Sequence, residues 1–293
     1  MVFIVRPLLY LVQKEIVTER ISTFWITKYG KGYTYFQNLR GFYIMHSFLL
    51  IGQSNMAGRG YLNEAHEIDT SRIYILRNGR WQTMFRPINP DRSFSGVNLA
   101  ESFAEGYAKK HNVDVGLICC ADGGTRLDQW KPGELLFDNA VQQAKLACRT
   151  SKIAGVRWHQ GESDCSKECY PTYQQRLEII ISALRKELGL YDVPFILGGL
   201  GDYLQFCPLG ESMKNYVHIN NALKNIAASN AMTGFASAEG LTSNPDNLHF
   251  DAASLYEFGL RYLKAFESLQ INRNSFHDIR TTSDIQRSEM ELL

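Results

Sequence analysis

From Met45 onward the chain alternates short apolar runs with stretches of helical period, and that alternation leaves few folds open to it. Phe48–Ile51, Val115–Ala121, Ile153–Trp158, Val193–Leu197 and Gly234–Ser237 have the length and content of buried strands. Between them lie segments whose apolar residues recur on one helical face. Asn98 can cap a helix through Lys110, with Leu99, Phe103 and Tyr107 aligned. Phe137, Val141, Ala144 and Cys148 mark a second helix over about 134–149. Tyr173, Leu177, Ile180, Ile181, Leu184 and Leu188 mark the clearest one, opened near Pro171 and closed at Gly189. Two more are expected over about 214–228 and 252–269. Ile73–Leu76 followed by Asn78-Gly79 reads as the first arm of a hairpin. Strands alternating with helices imply an α/β fold, a mainly parallel sheet covered on both faces.

The two ends do not share this pattern. Residues 1–44 carry six basic and two acidic side chains, a net charge of +4 against +1 for all 293 residues. Their apolar stretches are split by Arg6 and Pro7, unlike a signal peptide. We expect a functional domain over 45–270, preceded by a poorly ordered extension or a misassigned start, and followed by a loose tail over 271–293. The near-neutral charge suggests neither a nucleic-acid footprint nor an acidic partner, and none is expected. No apolar run has the length of a membrane span, so no membrane partner is expected. Six cysteines without an export signal suggest reduced thiols in a cytoplasmic protein. Cys165, Cys169 and His159 lack the further cysteine pair that a structural zinc site would want, so neither metal nor cofactor is expected. The sequence sets no oligomeric state.

If the sheet is parallel, several polar loops fall on one edge, outside the carboxyl ends of the strands, where α/β proteins bind ligands. Gly52-Gln-Ser-Asn-Met-Ala-Gly58 follows the first strand and puts Ser54 on a tight turn, as a nucleophile requires. Asp122-Gly-Gly-Thr125, with Trp130 beyond it, follows the second buried run. A Gly-Gly turn exposes backbone N–H groups, one of which can bind an oxyanion together with the N–H of Ser54. Trp158-His-Gln-Gly-Glu162 follows the third, where Gln160 can aim its amide at the same oxyanion and Glu162 is a candidate acid. His159 reads as a structural residue at a strand end. Asp246-Asn-Leu-His249 precedes the last helix; three residues apart, a carboxylate can meet the near nitrogen of an imidazole and leave the other nitrogen for a serine.

These four blocks, in this order, resemble those of the SGNH-hydrolase superfamily, and in particular its sialate O-acetylesterase and acetylxylan-esterase branch, carbohydrate esterase family 6. The resemblance implies a three-layer, flavodoxin-like α/β/α sandwich and metal-free removal of acetyl groups from a small acetylated carbohydrate. It maps the nucleophile onto Ser54, the base onto His249, and the oxyanion donors onto the N–H groups of Ser54 and Gly124 and the Gln160 side chain. By the resemblance the orienting acid is Asp246, Glu162 or both, with Asp246 favoured because its reach is guaranteed by proximity. Arg126 and Asp128 fall on the substrate side. A different reading is a non-catalytic carbohydrate-binding protein on the same scaffold.

Overall fold

The computed structural model describes residues 27–28, 31–32 and 45–277. The chain divides into a unit over 1–43 and a unit over 44–293. In the first, strand β1 (Thr27–Lys28) pairs antiparallel with β2 (Lys31–Gly32). The expectation that residues 1–44 are an extension or a misassigned start otherwise lies outside the described residues.

The second unit holds a seven-stranded sheet, formed in chain order by β3 (Met45–Gly52), β4 (Ile73–Arg77), β5 (Arg80–Thr83), β6 (Val115–Cys119), β7 (Ser151–His159), β8 (Phe195–Gly198) and β9 (Thr233–Ala236). Its spatial order is β5-β4-β6-β3-β7-β8-β9. All neighbours pair parallel except β4 and β5. That exception is the hairpin read from Asn78-Gly79, whose φ values of 51° and 72° suit the two-residue turn that follows strand twist.

The helices are α1 (Ser54–Ala57), α2 (Ala100–His111), α3 (Leu135–Ala147), α4 (Tyr173–Leu188), α5 (Tyr216–Ser229) and α6 (Ala252–His277). Asn98 starts α2 as expected: Ala100 N–H donates to its Oδ1 (2.8 Å), while its own N–H donates to Glu101 Oε1 (3.0 Å). The final helix runs beyond its expected end, into the stretch read as a loose tail. No glycine or proline between Leu269 and His277 interrupts the backbone ladder, so it continues although the apolar period stops. The rest of that tail lies outside the described residues.

Side chains alternate across a strand, and β7 shows what each face receives. Arg157 sits over the rings of Phe103 of α2 and Phe48 of β3, with Phe266 of α6 beside them. Trp158 turns the other way, edge-on to Trp130 and 3.4 Å from the hydroxyl of Tyr173 in α4. One layer is therefore α2 against α6; the other is the row α3, α4 and α5. In the first layer Phe48 and Phe266 meet Phe103 and Tyr107 edge to face, while Phe103 and Tyr107 stack on each other. Burying each such ring contributes about 2–3 kcal/mol, and Phe48 ties β3, central in the sheet, to this layer.

The central position of β3 decides what surrounds Ser54. The neighbours β6 and β7 deliver their own C-terminal loops on either side of it. Pairing continues past the strand ends: Asp122 N–H donates to Gly52 O (3.0 Å), and Gln53 N–H to His159 O (2.9 Å). Gly52, at φ 132°, approaches β7 so closely that a Cβ there would lie 2.1 Å from the His159 carbonyl oxygen. Only glycine permits that approach.

Candidate active site

Ser54 is the first residue of α1, directly after the central strand. Its side chain meets a segment nearly two hundred residues away. Ser54 Oγ lies 3.0 Å from His249 Nε2, and His249 Nδ1 lies 2.7 Å from Asp246 Oδ2. The other oxygen of Asp246 accepts the N–H groups of Leu248 (2.9 Å) and His249 (3.0 Å). Partial burial raises the pKa of this carboxyl, but those two N–H groups and the imidazole outweigh it and hold the value below the ordinary aspartate range. The three residues, read from two separate blocks, are thus brought together in one hydrogen-bonded chain.

Glu162 does not reach His249. It is buried, and its Oε1 accepts from Asn55 Nδ2 (2.6 Å) and stands 3.3 Å from His159 Nε2. Burial raises its pKa; the charge and hydrogen bond of His159 and the Asn55 amide reverse the shift and keep it ionised. Asn55 then links this carboxylate to the histidine turn. Its Nδ2 also donates to Leu248 O (3.1 Å), and its Oδ1 accepts Phe250 N–H (3.1 Å), so one carboxamide grips both residues flanking His249. His159 is wholly buried against Phe250 and Phe258, the structural position expected of it.

The structure differs from the sequence reading at Gln160. Its amide was expected to face the oxyanion. Instead it is fully buried and donates to Thr125 O (3.1 Å) and Asp164 Oδ2 (2.6 Å), which uses both amide hydrogens. The cause is Asp164, a carboxylate with no exposure, which also draws in Leu127 N–H (3.0 Å) and Arg176 (3.3 Å). A buried charge needs donors more than an open hollow does. The glutamine that lines the hollow is Gln53, whose Oε1 accepts from Gly161 and Ser163 N–H at 3.4 Å. Arg126 and Asp128 also depart from expectation. Arg126 donates to Ser163 O, Asp128 pairs with Lys131 and Arg176, and neither lines the hollow.

The hollow over Ser54 encloses about 320 Å³. Gly123, Gly124, Glu162, Arg59 and Arg92 are among its walls, and Phe94 and Leu209 are exposed at it. Gly124 is exposed at φ 77°, and its N–H has no protein acceptor among the described residues. Nor has the N–H of Ser54, as is usual for the first residue of a helix. Sequence reasoning missed Asp91 and Arg92, which bind the glycine loop. Gly123 N–H donates to Asp91 Oδ2 (2.9 Å), and Arg92 Nη2 donates to Gly123 O (2.9 Å). Arg59 grips Asp91 with both terminal nitrogens, at 3.0 and 2.7 Å. The Asn89-Pro90-Asp91-Arg92 stretch has no period or motif to mark it. The only available signal is Arg59, an arginine directly after the serine block that a buried turn would need to pair. Of the cysteine reading, Cys165 is buried and donates to Gly161 O, and the described residues hold no His/Cys/Asp/Glu group arranged for a metal.

A mainly parallel sheet that carries a serine, an imidazole and a carboxylate in contact at its C-terminal edge, beside unpaired N–H groups, has the parts of a serine-type ester hydrolase. Residues 44–268 match the family described as carbohydrate esterase, sialic acid-specific acetylesterase, and the chain belongs to that family. It is a carbohydrate esterase with acetylesterase activity. It is 27% identical over 250 residues to a protein of Arabidopsis thaliana described as a probable carbohydrate esterase, covering 75% of this chain and 90% of that one. The X-ray structure of an Arabidopsis thaliana protein matches with a TM-score of 0.66 at 26% identity, over 77% of this chain and 98% of that one. The structure of NanS matches at 0.64 and 18% identity, over 79% and 98% of the two chains. A carbohydrate acetylesterase from Xanthomonas citri matches at 0.56 and 17%, over 75% and 55%. The last two likenesses speak to the fold.

Proposed function

We propose that the protein removes O-acetyl groups from a small carbohydrate through an acetyl-Ser54 intermediate, as a serine esterase of the carbohydrate esterase family 6 type. The observation that carries this reading is the unbroken chain from Ser54 Oγ through His249 to Asp246, at 3.0 and 2.7 Å. His249 takes the hydroxyl proton as Ser54 attacks the acetyl carbonyl, and Asp246 stabilises the imidazolium and fixes its tautomer. The N–H groups of Ser54 and Gly124 receive the oxyanion. The sugar leaves with the proton from His249; water then attacks the acetyl-serine with His249 as base. Two backbone donors serve here, since the Gln160 amide is engaged elsewhere. The hollow, of about 320 Å³, suits an acetyl group and one sugar ring, of sialic acid or xylo-oligosaccharide type.

The test is acetate release from a panel of acetylated sugars and a generic aryl acetate, with Ser54→Ala as control. Turnover of the wild type should fall by at least about 10⁴-fold in the variant. Near-normal release by Ser54→Ala would remove the nucleophile, and binding without release by the wild type would favour a carbohydrate-binding protein. We also propose a cytoplasmic location, supported by six cysteines that are all free, three of them buried. Cell fractionation that recovers the protein outside the cytoplasm would overturn it.

A further inference from the structure

We infer that Asp91 and Arg92 are positioning residues that aim the Gly124 N–H at Ser54 by holding the peptide that precedes it. The inference rests on the mechanism proposed above. A peptide unit is planar, and in the trans form its C=O and N–H point in opposite directions. The bond between Gly123 and Gly124 is trans, the cis bond of the described chain being Arg86-Pro87. Whatever fixes the Gly123 carbonyl therefore fixes the Gly124 N–H, pointed the other way. Arg92 Nη2 holds that carbonyl at 2.9 Å. One residue earlier, Asp91 Oδ2 holds the Gly123 N–H at 2.9 Å. Two consecutive residues thus grip both polar groups of Gly123: Arg92 holds the Gly123–Gly124 peptide plane, which cannot flip without breaking that bond, and Asp91 holds the plane before it, from which the first one pivots.

The grip is itself anchored. Asp91 is buried in an ion pair with Arg59, side chains 6% and 3% exposed, and its Oδ1 also accepts the Ser95 hydroxyl at 2.8 Å. Burial raises the pKa of Asp91, and the Arg59, Ser95 and Gly123 donors more than reverse this, so it stays charged. Arg92 is tied to Asp122 (2.8 Å) and to the Asp91 carbonyl (2.8 Å). Arg59 follows directly on α1 and its closing Gly58, so the anchor ties the glycine loop to the segment that carries the nucleophile. The spacing is tight as well. A Cβ on Gly123 would stand 2.5 Å from Arg59 Nη2, 3.0 Å from Asp91 Oδ2 and 3.5 Å from Ser54 Cβ. Asp91 and Arg92 touch neither the hydroxyl nor the imidazole, so their effect on the reaction passes through the donor they aim.

The experiment uses Arg92→Met, Arg92→Lys and Asp91→Asn in the full chain, with an aryl acetate that makes no sugar contacts. Two quantities are read: kcat and KM, and the affinity for methylboronic acid, whose tetrahedral adduct on Ser54 places a charged oxygen at the donors. Removing an oxyanion donor costs on the order of a hundred- to a thousandfold. Misaiming one should cost less, about 10- to 100-fold in kcat for Arg92→Met, with KM changed by less than about twofold. Methylboronic acid affinity should fall by a similar factor, and Arg92→Lys should recover part of both. Asp91→Asn should move in the same direction; if it does not fold, the half-exposed Arg92 still decides the matter. A raised KM with kcat preserved, or a lower kcat with unchanged boronate affinity, overturns the assignment. A wild type inert to every acetyl ester would sink the esterase mechanism and this assignment together. A fully active wild type matched by Arg92→Met would sink the assignment alone.

Discussion

The two sides of Ser54 are built in opposite ways. On the histidine side, the acid and the imidazole sit three residues apart on one turn, and the Asp246 side chain is 44% exposed. On the glycine side, the loop is held by Asp91 and Arg92, more than thirty residues away in sequence, through an ion pair almost closed to solvent. In the proposed mechanism the histidine side lets a proton come and go, and a partly solvated turn allows that. In the proposed mechanism the glycine side presents a fixed dipole to a charge that forms only briefly, and such a dipole works best when it does not reorganise. The difference teaches where rigidity is placed: in the donor loop, and in the Asn55–Glu162 brace behind the imidazole.

The two carboxylates test that division most severely. Asp246→Asn should lower kcat by about 10³- to 10⁴-fold with little change in melting temperature, because an amide there favours the wrong tautomer of His249. Glu162→Gln should do the reverse. It removes a buried, charge-assisted acceptor for Asn55 and should destabilise the fold by about 1–3 kcal/mol, while kcat falls far less than in Asp246→Asn. Steady-state kinetics beside a denaturant melt of each variant separate the two. A larger kcat loss in Glu162→Gln would give the orienting role to Glu162 and erase the contrast between the turn and its brace.

The same contrast explains what was legible in the sequence. The parallel sheet could be read because its strands are continuous apolar runs and its helices keep their period. Ser54 and the Asp246–His249 pair could be read because their relation is local: a turn after a strand, and a spacing of three. Asp91 and Arg92 could not, because their partners are backbone atoms of Gly123, and no side-chain pattern records a backbone contact. Gln160 was misread for a related reason. Its type and position fit an oxyanion donor, but the competing acceptor, Asp164, is fully buried, and burial at a loop has no periodic signature. The end of α6 is not legible either, because the apolar period stops near Leu269 while the helix continues to His277 on backbone bonds alone.

Within the glycine side, the two neighbouring glycines should behave differently. Gly123→Ala drives a methyl into the Arg59–Asp91 pair and should lower kcat by about 10- to 100-fold, the scale of a misaimed donor. Gly124→Ala meets nothing within 4 Å; its cost is a left-handed backbone carried by a side chain, about 1–2 kcal/mol of stability, and it keeps its N–H. Its kcat should stay within a few-fold of the wild type. If the two alanine variants lose kcat equally, the loop is sensitive to any disturbance and the grip on Gly123 has no special standing.

The smallest effect is one of pH, and its sign follows from the lowered pKa of Asp91. A carboxyl whose pKa is depressed in the folded state contributes stability above its unfolded value, about 3.9, and loses it as pH falls through the folded value. The wild type should therefore be more stable than Asp91→Asn from neutral pH down to about 4, and the gap should close below that as Asp91 takes up a proton and comes to resemble the amide. Asp246 is lowered too, but solvent screens it, so the gap between wild type and Asp246→Asn should be smaller at every pH. Urea melts from pH 7 to pH 3 measure both gaps. A gap for Asp91→Asn that stays constant over that range would mean that shape, and not charge, holds the loop. The buried ion pair would then be no stiffer a support than the open turn on the other side of the serine.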